Sequence, residues 1–487
     1  MEVSEQFTMD SCCPTRLLPL VVDLDDTLLK VDTLYEQFAS VLLARPWAAA
    51  SAVSALPGGK SVFKGRLAAL ADIDVAHLPV REQFFGYLEE QAASGRELHL
   101  VSAADQTIVT RVADRFPLFR SATGTKPDLN LKGPNKAAYL ADRFPEGFVY
   151  AGDSSADLAV WKVARAAILV APSASVSAAV RDAGIPVECS FEDKPLRRTA
   201  WLRALRPHQW AKNLIVLVPL ALGWRDVTAA SLLTTLIVMG LLCVVASLTY
   251  VVNDLADLTS DRRHWSKRRR PFASGAIPVR DGLLAVGILL PIACAAVLLV
   301  APMAGVCVLF YVAVTLGYSF GWKRIPLFDT FIIALLFTTR ILIGIAAAQL
   351  TPSAWLLTFS MFFFFSLAMA KRHTEILRAA EHDMKKLEGR GYQAGDESLT
   401  LTFGVSAAMA SIVIVVIYLV EEVFSRQLYA NPAWLWVAPI AIFLFICRIW
   451  GLSHRGRMTD DPVAFALRDR ICLGLGVCVA IAIVLAL

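Results

Sequence analysis

Hydrophobic positions follow two patterns along the chain, and the change comes near residue 200. Before it, short apolar runs end in polar or acidic residues: LLPLVVDLDDTLL, ELHLVSAAD and GFVYAGDSSADL. Such runs predict buried parallel strands, with helical stretches between them. In open α/β sheets, sites gather at the carboxyl ends of strands, where these polar residues fall. The Ala- and Leu-rich stretch from about Leu29 to Gln91 predicts a helical insertion. Residues 1–190 therefore read as a Rossmann-like α/β domain. Residues 191–212 are polar and basic, a linker and interfacial segment whose Trp, Arg and Lys suit a membrane–water boundary. Nine apolar segments follow, near 213–224, 230–252, 282–299, 301–317, 328–348, 354–370, 402–421, 433–449 and 471–487. Several approach the roughly 20 residues that span a bilayer, and the first is short. Residues 213–487 thus predict an all-α polytopic membrane domain of nine transmembrane helices.

Composition sharpens this picture. Apolar residues make up 56% and charged residues 18%, which excludes a disordered chain. A net charge of +5 excludes a generally basic nucleic-acid binder. The nine cysteines show no CxxC spacing, which argues against a zinc or disulfide framework and for a reducing compartment. The opening MEVSEQFTMD is polar and acidic, so no signal peptide is expected. The loops after the second, fourth, sixth and eighth segments carry HWSKRRR, WKR, KRHTEILR with MKKLEGR, and SHRGR with LRDR; the opposite loops carry little beyond Arg225 and Arg426. The positive-inside rule puts the basic loops and residues 1–200 in the cytoplasm and the C-terminus outside; the expected location is a bacterial inner membrane. Membrane lipids are expected partners, and a homo-oligomer is compatible with the sequence.

Four elements stand in order in the first part: Asp23-Leu24-Asp25-Asp26-Thr27, Ser102, Lys136, and Asp153 with Asp157 in GDSSAD. The set resembles the haloacid dehalogenase-like phosphatases, with all four motifs intact over residues 14–190 and the helical insertion where that family carries its small cap. The resemblance implies Asp23 as nucleophile and Asp25 as general acid and base. Ser102 and Lys136 would hold the phosphoryl oxygens, and Asp23, Asp153 and Asp157 would hold Mg²⁺. Asp26 and Asp32 read as solvated loop residues.

The second apolar segment ends in NDLADLTSDRRHWSKRRRPFASG. Asp254, Asp257 and Asp261, spaced three and four apart, would share one face of a helix. Three clustered acids call for a cation, and Mg²⁺ commonly bridges carboxylate to phosphate. The following Lys267, Arg268 and Arg270 could bind phosphate oxygens. HWSKRRR also serves as a topology anchor; for Lys323 and Arg324, anchor and ligand are equally open, and His208 and His264 read as interfacial residues.

Asn253–Asp261 resembles the first acidic motif of the UbiA superfamily of membrane prenyltransferases. That superfamily normally carries a second acidic motif near the fifth span, but here Asp329 is followed four residues on by Ile333. Six ordered blocks, RPHQWAKN, the 253–275 run, YSFGWK, the Arg340 region, AKRHTEI and ALRDR, resemble the decaprenyl-phosphate phosphoribosyltransferases within it. The resemblance implies transfer of 5-phosphoribose from phosphoribosyl pyrophosphate (PRPP) to a polyprenyl phosphate, an early step toward lipid-linked arabinofuranose. Asp254, Asp257 and Asp261 would hold Mg²⁺, and Asn253 belongs to the same motif. Arg206, Lys212, Lys323 and Arg340 are candidates for the acceptor phosphate or the sugar 5-phosphate; Tyr318, Lys371 and Arg372 are further substrate-binding candidates, the last two in a polar group with Glu375 at a span end. The fused phosphatase would remove the 5-phosphate. Two alternatives stay open: prenyl transfer to an aromatic acceptor, and a transporter or lipid-binding scaffold.

Overall fold

The computed structural model describes residues 18–126, 129–192, 197–381, 390–425, 429–458, 462–466 and 468–487. The expectations placed on the first ten residues, on Cys12 and Cys13, on Lys385 and Lys386, on Arg426 and on part of the linker lie outside the described residues. The chain divides into two units, and the division does not follow chain order. Unit 1 is Met1–Ala204 with Asp254–Leu283; unit 2 is Leu205–Asn253 with Leu284–Leu487. The acidic-basic run after the second apolar segment thus packs with the N-terminal part, a grouping that a linear reading at 190 and 212 does not anticipate.

Unit 1 is built on six parallel strands: β1 (Leu20–Val22), β2 (Leu98–Asp105), β3 (Ser121–Thr125), β4 (Val149–Gly152), β5 (Ala166–Val170) and β6 (Val187–Phe191). Their order is β3-β2-β1-β4-β5-β6. Alternate residues feed two cores: Leu20, Val22, Leu98, Leu100, Val149 and Ala151 on one face, Val21, Val101, Tyr150, Ala167 and Leu169 on the other. Both faces are covered, which is why the strands read as continuous apolar runs. The chain leaves β1 toward β2 on one side and returns to β4 on the other, so the crevice opens at the carboxyl ends of β1 and β4. Asp23 and Asp153 are the first residues past those ends.

The insertion after β1 holds the helices Thr33–Ala44, Pro46–Val53 and Lys60–Leu70, before the crossover helix Glu82–Ala93. Asp32 is not a loosely solvated residue: its carboxylate caps Thr33–Ala44 by accepting from the Leu34 amide at 2.9 Å. Asp26 holds a left-handed turn (φ 56°) and is partly buried.

Among the described residues, seven helices are long and apolar enough to cross a membrane: Ala229–Ala256, Val279–Val300, Pro302–Phe320, Phe328–Ala348, Ala354–Glu381, Glu397–Phe424 and Pro432–His454. A shorter apolar helix, Arg470–Ala486, follows. The protein is a multi-pass membrane protein. The expected first segment, 213–224, is not one regular α-helix. Its chain runs as a 3₁₀ stretch over Pro207–Leu217 and a short helix over Val218–Leu222. A 3₁₀ helix rises about 2.0 Å per residue against about 1.5 Å for an α-helix, so fewer residues cover a given depth. Gly344 lets this stretch approach, since a Cβ there would stand 2.1 Å from the Val216 carbonyl oxygen. Phe328–Ala348 is the most enclosed of the seven helices, while Leu299, Met303 and Ile440 project outward as lipid-facing positions would.

Candidate functional site

Within unit 1 the end of β1 brings four motif residues together. Asp23 Oδ1 accepts from the Leu24 amide (2.9 Å) and pairs with Lys136 Nζ at 3.0 Å. Lys136 also donates to Tyr150 Oη (2.8 Å), which donates to Asp157 Oδ1 (2.8 Å). Asp157 Oδ2 accepts from the Asp153 and Ser154 amides at 3.3 and 3.0 Å, so this carboxylate is fixed and supports the turn. Thr27 Oγ1 donates to Asp153 Oδ1 at 3.3 Å. Gly152 is required beside this cluster: a Cβ would stand 2.8 Å from Asp157 Cγ. Carboxylate oxygens of Asp23, Asp153 and Asp157 lie within 4.8 Å of one another, which fits a hard divalent cation. Ser102 is buried within β2, which runs three residues beyond it, and accepts from the Ala104 amide at 3.1 Å.

The electrostatics separate these acids. Burial, reinforced by Asp32, pushes Asp25 well above the usual carboxylate range, while Thr33 donates its amide to Asp25 Oδ1 at 2.8 Å. Burial also raises Asp23, with Lys136 opposing it. Asp153 is pushed up to about 8 by burial and then by Asp157 and Asp23, and Asp26 to about 6. Two groups here escaped the motif reading. Tyr150 links Lys136 to Asp157, and its only sequence signal is a polar atom inside an apolar strand. Lys64, from the insertion, donates to the Ala103 carbonyl at 2.7 Å; burial lowers its pKa while Asp25 and Asp32 raise it.

A pH dependence follows. An unfolded Asp ionises near 3.8, so between that value and about 8 the folded site holds protons the unfolded chain has lost. The metal-free fold therefore loses stability as pH rises through this window. A divalent cation that displaces those protons binds better as pH rises. Added Mg²⁺ is expected to raise the unfolding temperature more at pH 8 than at pH 6, as differential scanning fluorimetry would record, and Asp153→Asn should flatten the difference. Equal Mg²⁺ shifts at both pH values would contradict this.

The acidic-basic run of unit 1 forms a second cluster. Asp254 lies in the last turn of Ala229–Ala256. The helix breaks at Asp257 (φ −95°, ψ 6°) and restarts as Leu258–Arg263, so the three acids do not ride one continuous helix. Two of them still meet: Arg270 Nη1 donates to Asp254 Oδ1 at 3.2 Å and to Asp261 Oδ2 at 2.7 Å. Both carboxylates are buried. Burial pushes Asp261 up to about 6, with Arg270 opposing and Asp254 and Asp257 adding. Lys267 and Arg268 occupy an exposed 3₁₀ turn, and Asn253 is partly buried one residue before Asp254.

The same run is held by a pair that the sequence does not signal. Arg262 Nη2 and Nη1 reach Glu36 Oε1 and Oε2 at 2.6 and 3.0 Å, and Nε donates to the Ala273 carbonyl at 3.2 Å. The side chains are 5% and 2% exposed, so the pair is fully desolvated. Arg263 Nε adds a bond to Asp74 at 2.7 Å, and Phe272 meets the Trp201 ring edge-on at 6.1 Å.

Unit 2 gathers the remaining candidates into two groups. Arg340 is buried; Nε donates to Asn213 Oδ1 (3.0 Å), Nη2 to Tyr311 Oη (2.9 Å) and Nη1 to the Leu336 carbonyl (2.8 Å). Its guanidinium and Lys212 Nζ both lie over the Phe337 ring, at 5.3 and 5.8 Å. In the second group Arg372 Nε donates to Asp329 Oδ2 at 2.7 Å and Nη1 to Glu375 at 2.5 Å. Tyr392 Oη donates to Asp329 Oδ1 at 2.6 Å, and Arg390 Nη1 donates to Tyr318 Oη at 2.9 Å and to Asp329 at 3.4 Å. Asp329 is thus saturated by cations and a phenol. Arg390 carried only a topology signal, as the last residue of MKKLEGR, and Tyr392 carried none. Arg206 lies over the Tyr250 ring at 5.1 Å; Lys323, just past Pro302–Phe320, and Lys371, inside Ala354–Glu381, are partly buried.

Comparison with known proteins falls on this arrangement of apolar helices ending in acidic and basic clusters. The model of the UbiA prenyltransferase family matches residues 214–468, more than half of the chain, and the protein belongs to that family of membrane transferases. An uncharacterized protein of Sinorhizobium fredii, y4nM, is 41% identical over 99% of this chain and 94% of its own length. The nodulation protein NoeC of Azorhizobium caulinodans is 33% identical over 55% of this chain and 87% of its own. A decaprenyl-phosphate phosphoribosyltransferase of Mycobacterium tuberculosis is 28% identical over 55% of this chain and 88% of its own.

Proposed function

We propose that the protein transfers 5-phosphoribose from PRPP to a polyprenyl phosphate, and that its N-terminal α/β part removes the 5-phosphate as a haloacid dehalogenase-like phosphatase. The carrying observation is the bridge of Arg270 between two buried carboxylates, Asp254 and Asp261, in a chain similar to a decaprenyl-phosphate phosphoribosyltransferase. Without substrate Arg270 balances those acids. With PRPP it turns to the pyrophosphate, beside Lys267 and Arg268. Asp254 and Asp261, with Asp257 at the helix break, would hold Mg²⁺, which would supply further positive charge to the leaving group. A phosphate oxygen of the lipid attacks ribose C1, the bond from C1 to the pyrophosphate oxygen breaks, and its electrons leave with pyrophosphate. The acceptor is already anionic, so no protein base is required. Lys212 and Arg340, with Arg206, Tyr318, Lys323, Lys371 and Arg372, are assigned to the anionic groups of donor and acceptor.

The saturation of Asp329 favours this reading over prenyl transfer to an aromatic acceptor. That residue stands where a second acidic motif would take a second metal, and here it already accepts from Arg372, Arg390 and Tyr392.

In the phosphatase step both protein contacts of Asp23 fall on Oδ1, so Oδ2 attacks phosphorus. Asp25, kept protonated by burial, gives its proton to the departing sugar oxygen. It then takes a proton from the water that hydrolyses the aspartyl phosphate. Lys136 and Ser102 would hold the phosphoryl oxygens, and Asp23 and Asp153, supported by Asp157, would hold Mg²⁺. Both steps would run on the cytoplasmic face of a bacterial inner membrane, where a tethered second enzyme meets product at high effective concentration.

The transferase half is tested by pyrophosphate release from PRPP in the presence of polyprenyl phosphate. Release should require Mg²⁺ and the lipid, and Asp254→Ala should lower it by about 10²–10³, the scale seen when one group that stabilises developing negative charge is removed. Lipid-independent release, or an unaffected Asp254→Ala enzyme, would refute it.

A further inference from the structure

We propose that His373, Glu397 and His454 of unit 2 form a zinc-type metal site, separate from both Mg²⁺ clusters. His373 lies on Ala354–Glu381, Glu397 opens the helix Glu397–Tyr418, and His454 closes Val437–His454. One ring nitrogen from each histidine and one Glu397 oxygen lie within 4.8 Å of one another. The two imidazoles are nearly parallel, 14° apart, with centroids at 6.1 Å, and Trp450 packs against His373 at 5.8 Å.

The tautomer of His373 can be read from its neighbours. Thr400 Oγ1 donates to the Glu397 carbonyl at 2.9 Å, so its oxygen accepts from His373 Nδ1 at 3.1 Å. The proton therefore sits on Nδ1, and Nε2 carries a lone pair. His373 is fully buried, and its Nε2 has no hydrogen-bond partner among the described residues. A buried acceptor with no donor is unfavourable, and metal coordination satisfies it. An Nδ1–H held by a hydroxyl is also the outer-shell arrangement that orients a metal-ligating imidazole. Two imidazoles and one carboxylate suit Zn²⁺ with an open fourth position, whereas Mg²⁺ prefers oxygen alone.

The ion would join the ends of two helices, at Glu397 and His454, to the body of a third at His373. It would also fix the approach of the chain from Arg390 and Tyr392, which reach Asp329, through Gln393–Asp396 to Glu397. Its role is to hold that loop in place.

The test uses full-length protein in detergent, stripped with chelator and re-equilibrated with Zn²⁺ in excess Mg²⁺. Elemental analysis should find one tightly held zinc per chain. Competition with a chromophoric chelator should give at least about 100-fold weaker binding for His454→Ala, since losing a ligand exceeds the 10–100-fold cost of losing an outer-shell partner. His454 is exposed, so this variant keeps its fold where His373→Ala need not. Glu397→Gln should weaken binding in the same direction. Co²⁺ in place of Zn²⁺ should give visible bands without thiolate charge transfer, which separates this site from adventitious cysteine binding. Zinc held as tightly by His454→Ala and Glu397→Gln as by the parent, or no zinc in the parent protein, would overturn the proposal.

Discussion

Asp23→Asn is expected to abolish phosphomonoester hydrolysis while pyrophosphate release from PRPP continues at the parent rate. Asparagine keeps the size of the side chain and can still accept from the Leu24 amide at the end of β1. It removes the charge that Lys136 pairs with at 3.0 Å, and it cannot form a stable acyl phosphate in turnover. Loss of a covalent nucleophile typically costs about 10⁴–10⁶ in turnover, so residual activity should fall within assay background. Release of inorganic phosphate from the 5-phosphorylated lipid, measured beside pyrophosphate release, reports both halves in one sample. Equal loss of both activities would mean that Asp23 serves the fold, and retained hydrolysis would place the nucleophile elsewhere.

Glu36→Ala is expected to damage the transferase reaction from a position outside the matched family segment. The change strands the Arg262 guanidinium, 5% exposed, without its carboxylate. Breaking a buried pair by removing one partner costs about 3–5 kcal/mol. Arg262 is the chain neighbour of Asp261, so the strain falls on the segment that presents Asp254, Asp261 and Arg270. Removing both partners leaves no stranded charge, so Glu36→Ala with Arg262→Met should be milder than Glu36→Ala alone. Thermal unfolding and pyrophosphate release of the single and double variants measure this coupling. Additive losses, or a Glu36→Ala protein that matches the parent in both assays, would contradict it.

Local features of this molecule were legible in its sequence, and distant pairings were not. The ends of β1 and β4 were marked by Asp23 and Asp153 because a buried parallel strand is apolar until its carboxyl end. Long apolar runs located the membrane helices because side chains that face lipid must be apolar, and the basic residues at their ends followed. Arg262 and Glu36, by contrast, lie 226 positions apart. Each looks like an ordinary surface charge in its own neighbourhood, and only the fold makes them partners. Asp329 posed the opposite difficulty. Its missing acidic companion was visible, but the three donors that occupy Asp329 instead, Arg372, Arg390 and Tyr392, come from a helix and a loop with no shared pattern. The acidic triplet misled in detail, because spacing alone implied one helix and the backbone breaks at Asp257.

The central claim is that one chain carries out two successive steps on one lipid, and mass spectrometry of the lipid products tests it most directly. Purified protein given PRPP, polyprenyl phosphate and Mg²⁺ should yield polyprenyl phosphoribose lacking the 5-phosphate, and Asp23→Asn should stop at the 5-phosphorylated lipid. A parent enzyme that leaves PRPP intact and forms no sugar-bearing lipid would contradict the account, and one that accumulates the 5-phosphorylated lipid would contradict its second step.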